Sequence, residues 1–536
     1  RTDNKMLGYD FRADLSWNQV FNEIHIVNFY GGMLLQTVDR QKNWSRGWGR
    51  QYSMGDISYY AYEVFKKGVE DNSDYFTVDN SRSRLAAFFG TATYSYKGRY
   101  TVSGTGRYEG TNKLGKSHSS RWIPTWNISG AWNMHEEDFF KNLEPALTHF
   151  TVRASYSLTA DRGPSSVTNS KPVYLSGTPF RPETNAKETA IYLDDIENSE
   201  LTYEKKHELN IGVDMGFLND RINFTIDGYK RNNYDLIGPV TTVGVGGVVD
   251  KMANVAEMKA HGVEFSLSTT NINLKNFRWT TDLIFSYAKN EISKMKTRKR
   301  AIDMITGNGF GLEGYPVRSL FSIPFRGLNE DGIPVFLNQD GNITSTDVYF
   351  QTTDLGFLKY EGSSEPTITG SFGNTFSYKG LKLNVFMTYS FGNKIRLDPV
   401  FKGRYSDLDA MPKEFKNRWM VPGDEKYTHV PVIVSQRQHK NNSKLNYAYN
   451  TYNYSDVRTA DGGFIRMKEI SLSYDFPKRL LTKIGFNSLS MKVQGTNLFL
   501  IYADDKLNGQ DPEFFRSGGV AAPVPKQFTF TLRLGL

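Results

Sequence analysis

The stretch from Glu365 to Arg396, EPTITGSFGNTFSYKGLKLNVFMTYSFGNKIR, alternates between two kinds of side chain along almost its whole length. In the first half Ile368, Gly370, Phe372, Asn374, Phe376 and Tyr378 share one parity, and Thr367, Thr369, Ser371, Gly373, Thr375 and Ser377 the other. Past Lys379-Gly380 the parity flips. Leu381, Leu383, Val385, Met387, Tyr389 and Phe391 form one face, while Lys382, Asn384, Thr388, Ser390 and Gly392 form most of the other. A period of two marks β-strands, whose successive side chains point to opposite faces. Two such arms around a two-residue turn make a hairpin. Each arm runs for about 12 residues, roughly twice the mean strand. Strands that long, apolar on one face and small and polar on the other, suit a membrane-spanning β-barrel, which needs about 9–11 tilted residues per crossing. A long hairpin in a soluble sandwich, with its apolar face buried, carries the same pattern.

Composition narrows this choice. The chain has 536 residues, no cysteine and a mean hydropathy of −0.50. No run of 18 apolar residues exists, so a transmembrane helix is excluded. A barrel is apolar only on alternate residues and carries long polar loops, so low hydropathy does not exclude one. No Pro/Ser/Gly linker divides the text, which favours one large all-β unit. The net charge of +8 is scattered, unlike the patch of a nucleic-acid binder, and no nucleic acid is expected. The local cluster Lys294, Lys296, Arg298, Lys299 and Arg300 fits a solvated loop or contact with anionic lipid. Absence of cysteine fits an exported protein that does not rely on disulfides.

The connections decide between the readings. Strand patterns recur along the chain, beginning with Leu7, Tyr9, Phe11, Ala13, Leu15 and Trp17 and ending with Phe528, Phe530, Leu532, Leu534 and Leu536. Short joins fall near Asn18, Lys97, His135, Leu218, Asn273, Lys379 and Lys478. Long ones fill 31–82, 109–119, 159–202, 236–260, 291–365, 393–461 and 500–525. Short and long alternate throughout, as periplasmic turns and extracellular loops do in outer-membrane barrels. About fifteen spans follow, and the long connection 291–365 has room for two more, around 315–325 and 332–338. A single-chain barrel of this type has an even strand count, so at least one strand is expected upstream of Arg1. Arg1 is preceded by no Met or signal segment, so the text is expected to be the later part of a longer protein.

Several blocks now carry a family resemblance. They include Trp126-Asn-Ile-Ser-Gly-Ala-Trp132, Glu137-Asp-Phe-Phe140, Val152-Arg-Ala-Ser-Tyr156 and Asn210-Ile-Gly-Val-Asp214. Ile226-Asp-Gly-Tyr229, Asn254-Val-Ala-Glu-Met258 with His261-Gly-Val-Glu264, and Asn417-Arg-Trp419 follow in order. Phe464 to Leu472, Gly495-Thr-Asn-Leu-Phe499 and Asp511-Pro-Glu513 close the series. The ordered set resembles the SusC-like (SusC/RagA) family of TonB-dependent outer-membrane transporters, with Ala256 where the family's turn block has Gly. The resemblance implies about 15 strands of a 22-stranded barrel. It implies that residues 1–536 are the C-terminal barrel portion, with the plug and TonB-contact segment not present in this sequence. It further implies a Gram-negative outer-membrane importer of oligosaccharides or peptides. Its partners would be a SusD-like surface lipoprotein, TonB through the missing N-terminal region, and outer-membrane lipid. Two alternatives stay open: a SusC-like barrel serving as a structural subunit of an outer-membrane assembly, and a soluble β-rich glycan-binding protein.

Nothing points to catalysis, and no enzyme activity is expected. His135-Glu-Glu-Asp138 lacks the second His of a zinc-protease helix, and Gly244-Val-Gly-Gly247 lacks the Lys-Ser/Thr of a phosphate loop. No cofactor is expected. The run Asn338 to Thr344, with Asp347 beyond, has some oxygen-ligand character for Ca²⁺ but lacks the acidic first position and the Glu of an EF-hand; a polar turn fits it too. Candidate ligand contacts are aromatic: Trp44 and Trp48, with Tyr52, in the first long loop, and Tyr447, Tyr449, Tyr452 and Tyr454 in the loop NYAYNTYNY. Flat tyrosine faces beside asparagine suit a glycan or a peptide, and the same composition also suits an aromatic girdle or a packing surface. In the opening hairpin, the Thr/Ser/Gly/Asn face is expected to line a lumen. Phe372, Phe376, Val385 and Met387 are expected to meet lipid.

Overall fold

The computed structural model describes residues 1–46, 50–51, 53, 55, 57–58, 62–71, 73, 75–163, 172–177, 180–181, 186–244, 250–297, 299–306, 309–402, 405, 411, 413–481, 485–515 and 525–535. Trp48, Tyr52, Gly246, Gly247, Arg298 and Leu536 lie outside the described residues.

One 15-stranded antiparallel sheet holds its strands in chain order. Its members are β1 (Thr2–Phe21), β2 (His25–Ser45), β3 (Phe76–Tyr96), β4 (Tyr100–Thr111), β5 (Trp122–Asn133), β6 (Leu147–Asp161), β7 (Glu204–Phe217) and β8 (Ile222–Thr241). They continue as β9 (Asp250–Asn273), β10 (Phe277–Met295), β11 (Ile368–Tyr378), β12 (Leu381–Phe391), β13 (Phe464–Asp475), β14 (Ser488–Ala503) and β15 (Gln527–Gly535). The fifteen strands match the expected count. The tight joins use left-handed backbone, as a two-residue hairpin requires: Lys97 and Gly98 at φ 53° and 69°, Lys379 and Gly380 at φ 45° and 89°. At Gly380 a Cβ would also lie 2.7 Å from the Asp475 carbonyl, so glycine is needed there twice over.

Several boundaries move. The first turn is Asn22–Ile24, not Asn18, because β1 keeps pairing through Gln19↔Val27 to Phe21↔His25. The first long connection shrinks to 46–75 and the one expected at 236–260 to 242–249. Strands here continue where both faces are polar and pattern gives no signal, as in Arg40↔Ser81 and Gln41↔Asn80. The two extra spans expected near 315–325 and 332–338 do not join the sheet. Ser319–Ser322 pairs with Lys359–Ser363, and Phe325–Leu328, Pro334–Leu337 and Ile343–Thr344 form a separate small sheet. Four residues rise only about 13 Å, too short to cross a bilayer.

The chain divides into two compact units. The first comprises Arg1–Trp132, Ala154–Leu209 and Asn232–Glu257; the second comprises Asn133–Arg153, Asn210–Arg231 and Met258–Leu536. In the first, one face of the sheet is polar: Thr91 and Thr105, Thr93 and Ser103, and Thr101 and Ser95 are hydrogen-bonded in pairs at 2.8–3.1 Å. The other face is apolar and ends in aromatic rows. Near the turn end Tyr100 stacks on Trp132 at 6.1 Å, and near the loop end Tyr108 stacks on Trp122 at 5.0 Å. Exposed Val102 and Ile128 lie between them. Trp122 and Trp132 are the first and eleventh residues of β5. Ten residues at about 3.4 Å, tilted by about 40°, give a height of roughly 25 Å, the apolar band of a transmembrane barrel.

The second unit repeats the two faces. Thr375 donates to Asn384 at 3.1 Å; Glu469 accepts from Asn384 and Gln494 at 3.4 and 3.0 Å and pairs with Lys492. Opposite, Phe376 pairs with Leu383, Leu472 with Val493 and Val493 with Phe530. Phe372, Phe376, Val385 and Met387 all lie on this apolar face, outside the buried core, whereas Ser371 and Ser390 on the polar face are buried. Within this hairpin Phe386 is an apolar residue on the polar face, where its ring fills the space beside Gly373.

The core of the second unit is not in the 15-stranded sheet. It lies in the long connections, where Ile323, Phe325, Phe336, Phe401, Phe415, Trp419, Tyr449 and Tyr452 form one buried cluster. Buried arginines tie its segments together. Arg396 donates to the carbonyls of Ser455 and Phe321 at 2.7 and 2.6 Å and to the Ser322 hydroxyl at 3.0 Å. Burial lowers its pKa to about 10, so it stays cationic at neutral pH. Arg458 donates to Glu414 at 2.6 Å and lies over the Phe401 ring at 4.9 Å.

Candidate functional site

The tyrosine run expected as a loop is a helix, Leu445–Asn453. Its buried apolar and aromatic residues Leu445, Ala448, Tyr449 and Tyr452 recur at the spacing of one helical face and enter the loop core. Tyr449 donates to the Val432 carbonyl at 2.5 Å, and Tyr452 sits edge-on to Phe325 and Phe401 at 5.7 and 4.7 Å. Burial pushes both phenol pKa values up. At 1% and 2% exposure their faces are covered, so this arrangement corrects their reading as ligand contacts. Tyr454 is half-buried, its ring edge-on to Phe350 at 5.7 Å.

Tyr447 is different. It points away from the core, 61% exposed, into a cleft of about 370 Å³. The opposite wall is the segment Thr346–Gln351, with Tyr349 also 62% exposed, and Lys444 and Asn450 complete the rim. Two open phenol faces with an ammonium and amides at the edge offer stacking and hydrogen bonds together. That is the chemistry of a hydroxylated or amide-bearing ligand. Trp44 belongs to the first unit, on β2, with the Arg46 guanidinium 5.1 Å over its ring. Of the five aromatic candidates among the described residues, the structure therefore places only Tyr447 on this cleft.

The wall supplied by Thr346–Gln351 was not apparent from the sequence. Its position is fixed by the neighbouring turn. Asn338 Oδ1 accepts from the backbone N–H groups of Asp340 and Asn342 at 3.1 and 2.8 Å, and its Nδ2 donates to the Asp347 carbonyl at 3.2 Å. Asn338 Oδ1 and the Asp347 carbonyl are thus engaged in folding their own turn. Among the described residues no three His, Asp or Glu side chains stand close enough to hold a metal ion.

Comparison with known proteins places this geometry in context. Residues 1–308 match the family model described as TonB dependent receptor-like, beta-barrel. The chain is 25% identical to the TonB-dependent receptor P3 of Formosa agariphila over 524 residues, 93% of this chain and 48% of the relative. It is 26% identical to the TonB-dependent receptor SusC of Bacteroides thetaiotaomicron over 492 residues, 86% of this chain and 44% of the relative. The chain thus spans about half the length of the curated relatives it matches. Its fold is that of the RagAB peptide importer in the "open-open" state, with a TM-score of 0.80 at 18% identity, covering 100% of this chain and 55% of that one.

Proposed function

The chain belongs to the TonB dependent receptor-like β-barrel family, in its SusC-like branch, and from that premise we propose that it is the barrel wall of a Gram-negative outer-membrane importer for an oligosaccharide or a peptide. The observation that carries this reading is the two-faced sheet. One face is apolar between two aromatic rows about 25 Å apart, and the other is lined by Thr, Ser, Asn and paired charges. A wall of this kind separates lipid from a polar lumen, and its long connections carry the ligand cleft at Tyr349 and Tyr447. A lipoprotein lid of the SusD kind would close over those connections, and TonB would draw on a segment outside this chain.

The experiment is direct binding to the whole protein in detergent, titrated with glycan and peptide libraries, in parallel with co-purification of lipid-anchored partners. Saturable binding of one ligand class, weakened by Tyr447→Ala, is the expected result. Partitioning of the protein into buffer without detergent, or an equal response of wild type and variant, would count against the proposal.

A further inference from the structure

The apolar face of three neighbouring strands in the second unit ends in a row of cations. Gly262 of β9 sits between β8 and β10: a Cβ there would meet the Tyr229 ring and the Tyr287 carbonyl oxygen, each at 2.5 Å. Lys230 of β8, His261 of β9 and Lys289 of β10 are therefore close neighbours, and all three are exposed. The His261 and Tyr287 ring centroids lie 6.5 Å apart. Alternation puts the three on the same face as Phe224 and Phe265, whose rings meet at 5.0 Å, and as exposed Val263. Lys259 follows one repeat farther toward the long connections, with the carboxylate of Glu291 beyond the row.

The level of this row matters. Lys230 lies eight residues past Ile222, the start of β8 at the turn end. At about 3.4 Å per residue and a tilt of about 40°, that is roughly 20 Å of climb, close to the loop-side edge of the apolar band. Lysines there lay their stems on apolar surface and reach their ammonium groups into the headgroup layer. Adjacent strands are about 4.8 Å apart, so the row spans roughly 10 Å, a width that one phosphorylated headgroup can bridge.

We infer that the outward surface of β8–β10 holds a phosphorylated glycolipid of the outer leaflet. Lys230 and Lys289 bind its phosphate oxygens, and its acyl chains lie on Phe224, Val263 and Phe265. The inference rests on the membrane placement proposed above. Its test uses the full-length protein in phosphatidylcholine nanodiscs doped with bis-phosphorylated lipid A, with retained lipid counted by native mass spectrometry. Each juxtamembrane lysine strengthens binding to an anionic surface about fivefold, so K230Q/K289Q should bind lipid A roughly 25-fold more weakly. Lipid A stripped of its phosphates should bind wild type as poorly as intact lipid A binds the variant. Equal retention by wild type and variant, or equal retention of intact and stripped lipid A, overturns the site. Inorganic phosphate displacing the lipid at equal concentration overturns the lipid as its occupant. Heat-modifiable gel mobility in the same samples reports insertion separately, so failure of wild type to insert would overturn the membrane placement instead.

Discussion

Replacing Tyr452 with alanine separates the two roles that the tyrosine run could play. Tyr452 is 2% exposed, sits edge-on to Phe325 and Phe401, and belongs to the cluster that joins segments more than a hundred residues apart. Removing a buried aromatic side chain costs about 3–5 kcal/mol, and little can collapse into a space walled by two rings. The loss falls on the loop core, because the hairpins of the sheet have their own ladder of hydrogen bonds. A cost of about 4 kcal/mol raises the open population about a thousandfold. Hydrogen exchange followed by mass spectrometry reads this directly. Amides in Phe325–Leu328 and Leu445–Asn453 should lose about three decades of protection, while those of Leu381–Phe391 stay as they were. Unchanged exchange in the helix would refute the placement of Tyr452 in a shared core. Equal loss in the β11–β12 hairpin would refute the independence of the loop core.

Three further outcomes follow from the same geometry. Tyr447→Ala or Tyr349→Ala should leave stability within about 0.5 kcal/mol of wild type yet weaken ligand binding several-fold by calorimetry, since each offers an open ring to the cleft. The buried Tyr449 and Tyr452 phenols have raised pKa values because burial disfavours the phenolate. Their contribution to stability is therefore fully present below the unfolded tyrosine pKa of about 10 and is lost as pH rises through the higher folded values; absorbance at 295 nm should show these two ionising after the exposed tyrosines, with opening of the loop core. Phe530→Arg, on the apolar face and 64% exposed, should destabilise the membrane-inserted protein by about 2–4 kcal/mol in urea titrations, whereas Thr531→Arg on the neighbouring polar face should be tolerated.

The strands were legible because the barrel wall imposes period two on most of them and tight turns demand left-handed residues. Lys379-Gly380 and Lys97-Gly98 announce themselves. The orientation of Phe372, Phe376, Val385 and Met387 was legible for the same reason. Strand ends were not: past the apolar band, pairs such as Arg40↔Ser81 carry no contrast between faces. The loop core was not legible for a different reason. NYAYNTYNY looks like exposed aromatic loop, yet Leu445, Ala448, Tyr449 and Tyr452 follow helical spacing, and the rings that cover them come from residues 325 and 401, far away in sequence. The spacing alone would have kept Tyr447 as the outward residue. Nothing local identifies Tyr349 as its partner across the cleft.

The two-faced wall is the claim on which the rest stands, and single cysteines can probe it, since none occurs among residues 1–536. Single cysteines introduced at Met491, Lys492, Val493 and Gln494 of β14 in the full-length protein, reconstituted in bilayers, would be labelled with an environment-sensitive maleimide. Quenching by lipids brominated in their tails should be strong at 491 and 493 and weak at 492 and 494, with the reverse order for a water-soluble quencher. Uniform quenching along the four positions, or the opposite parity, would contradict the account.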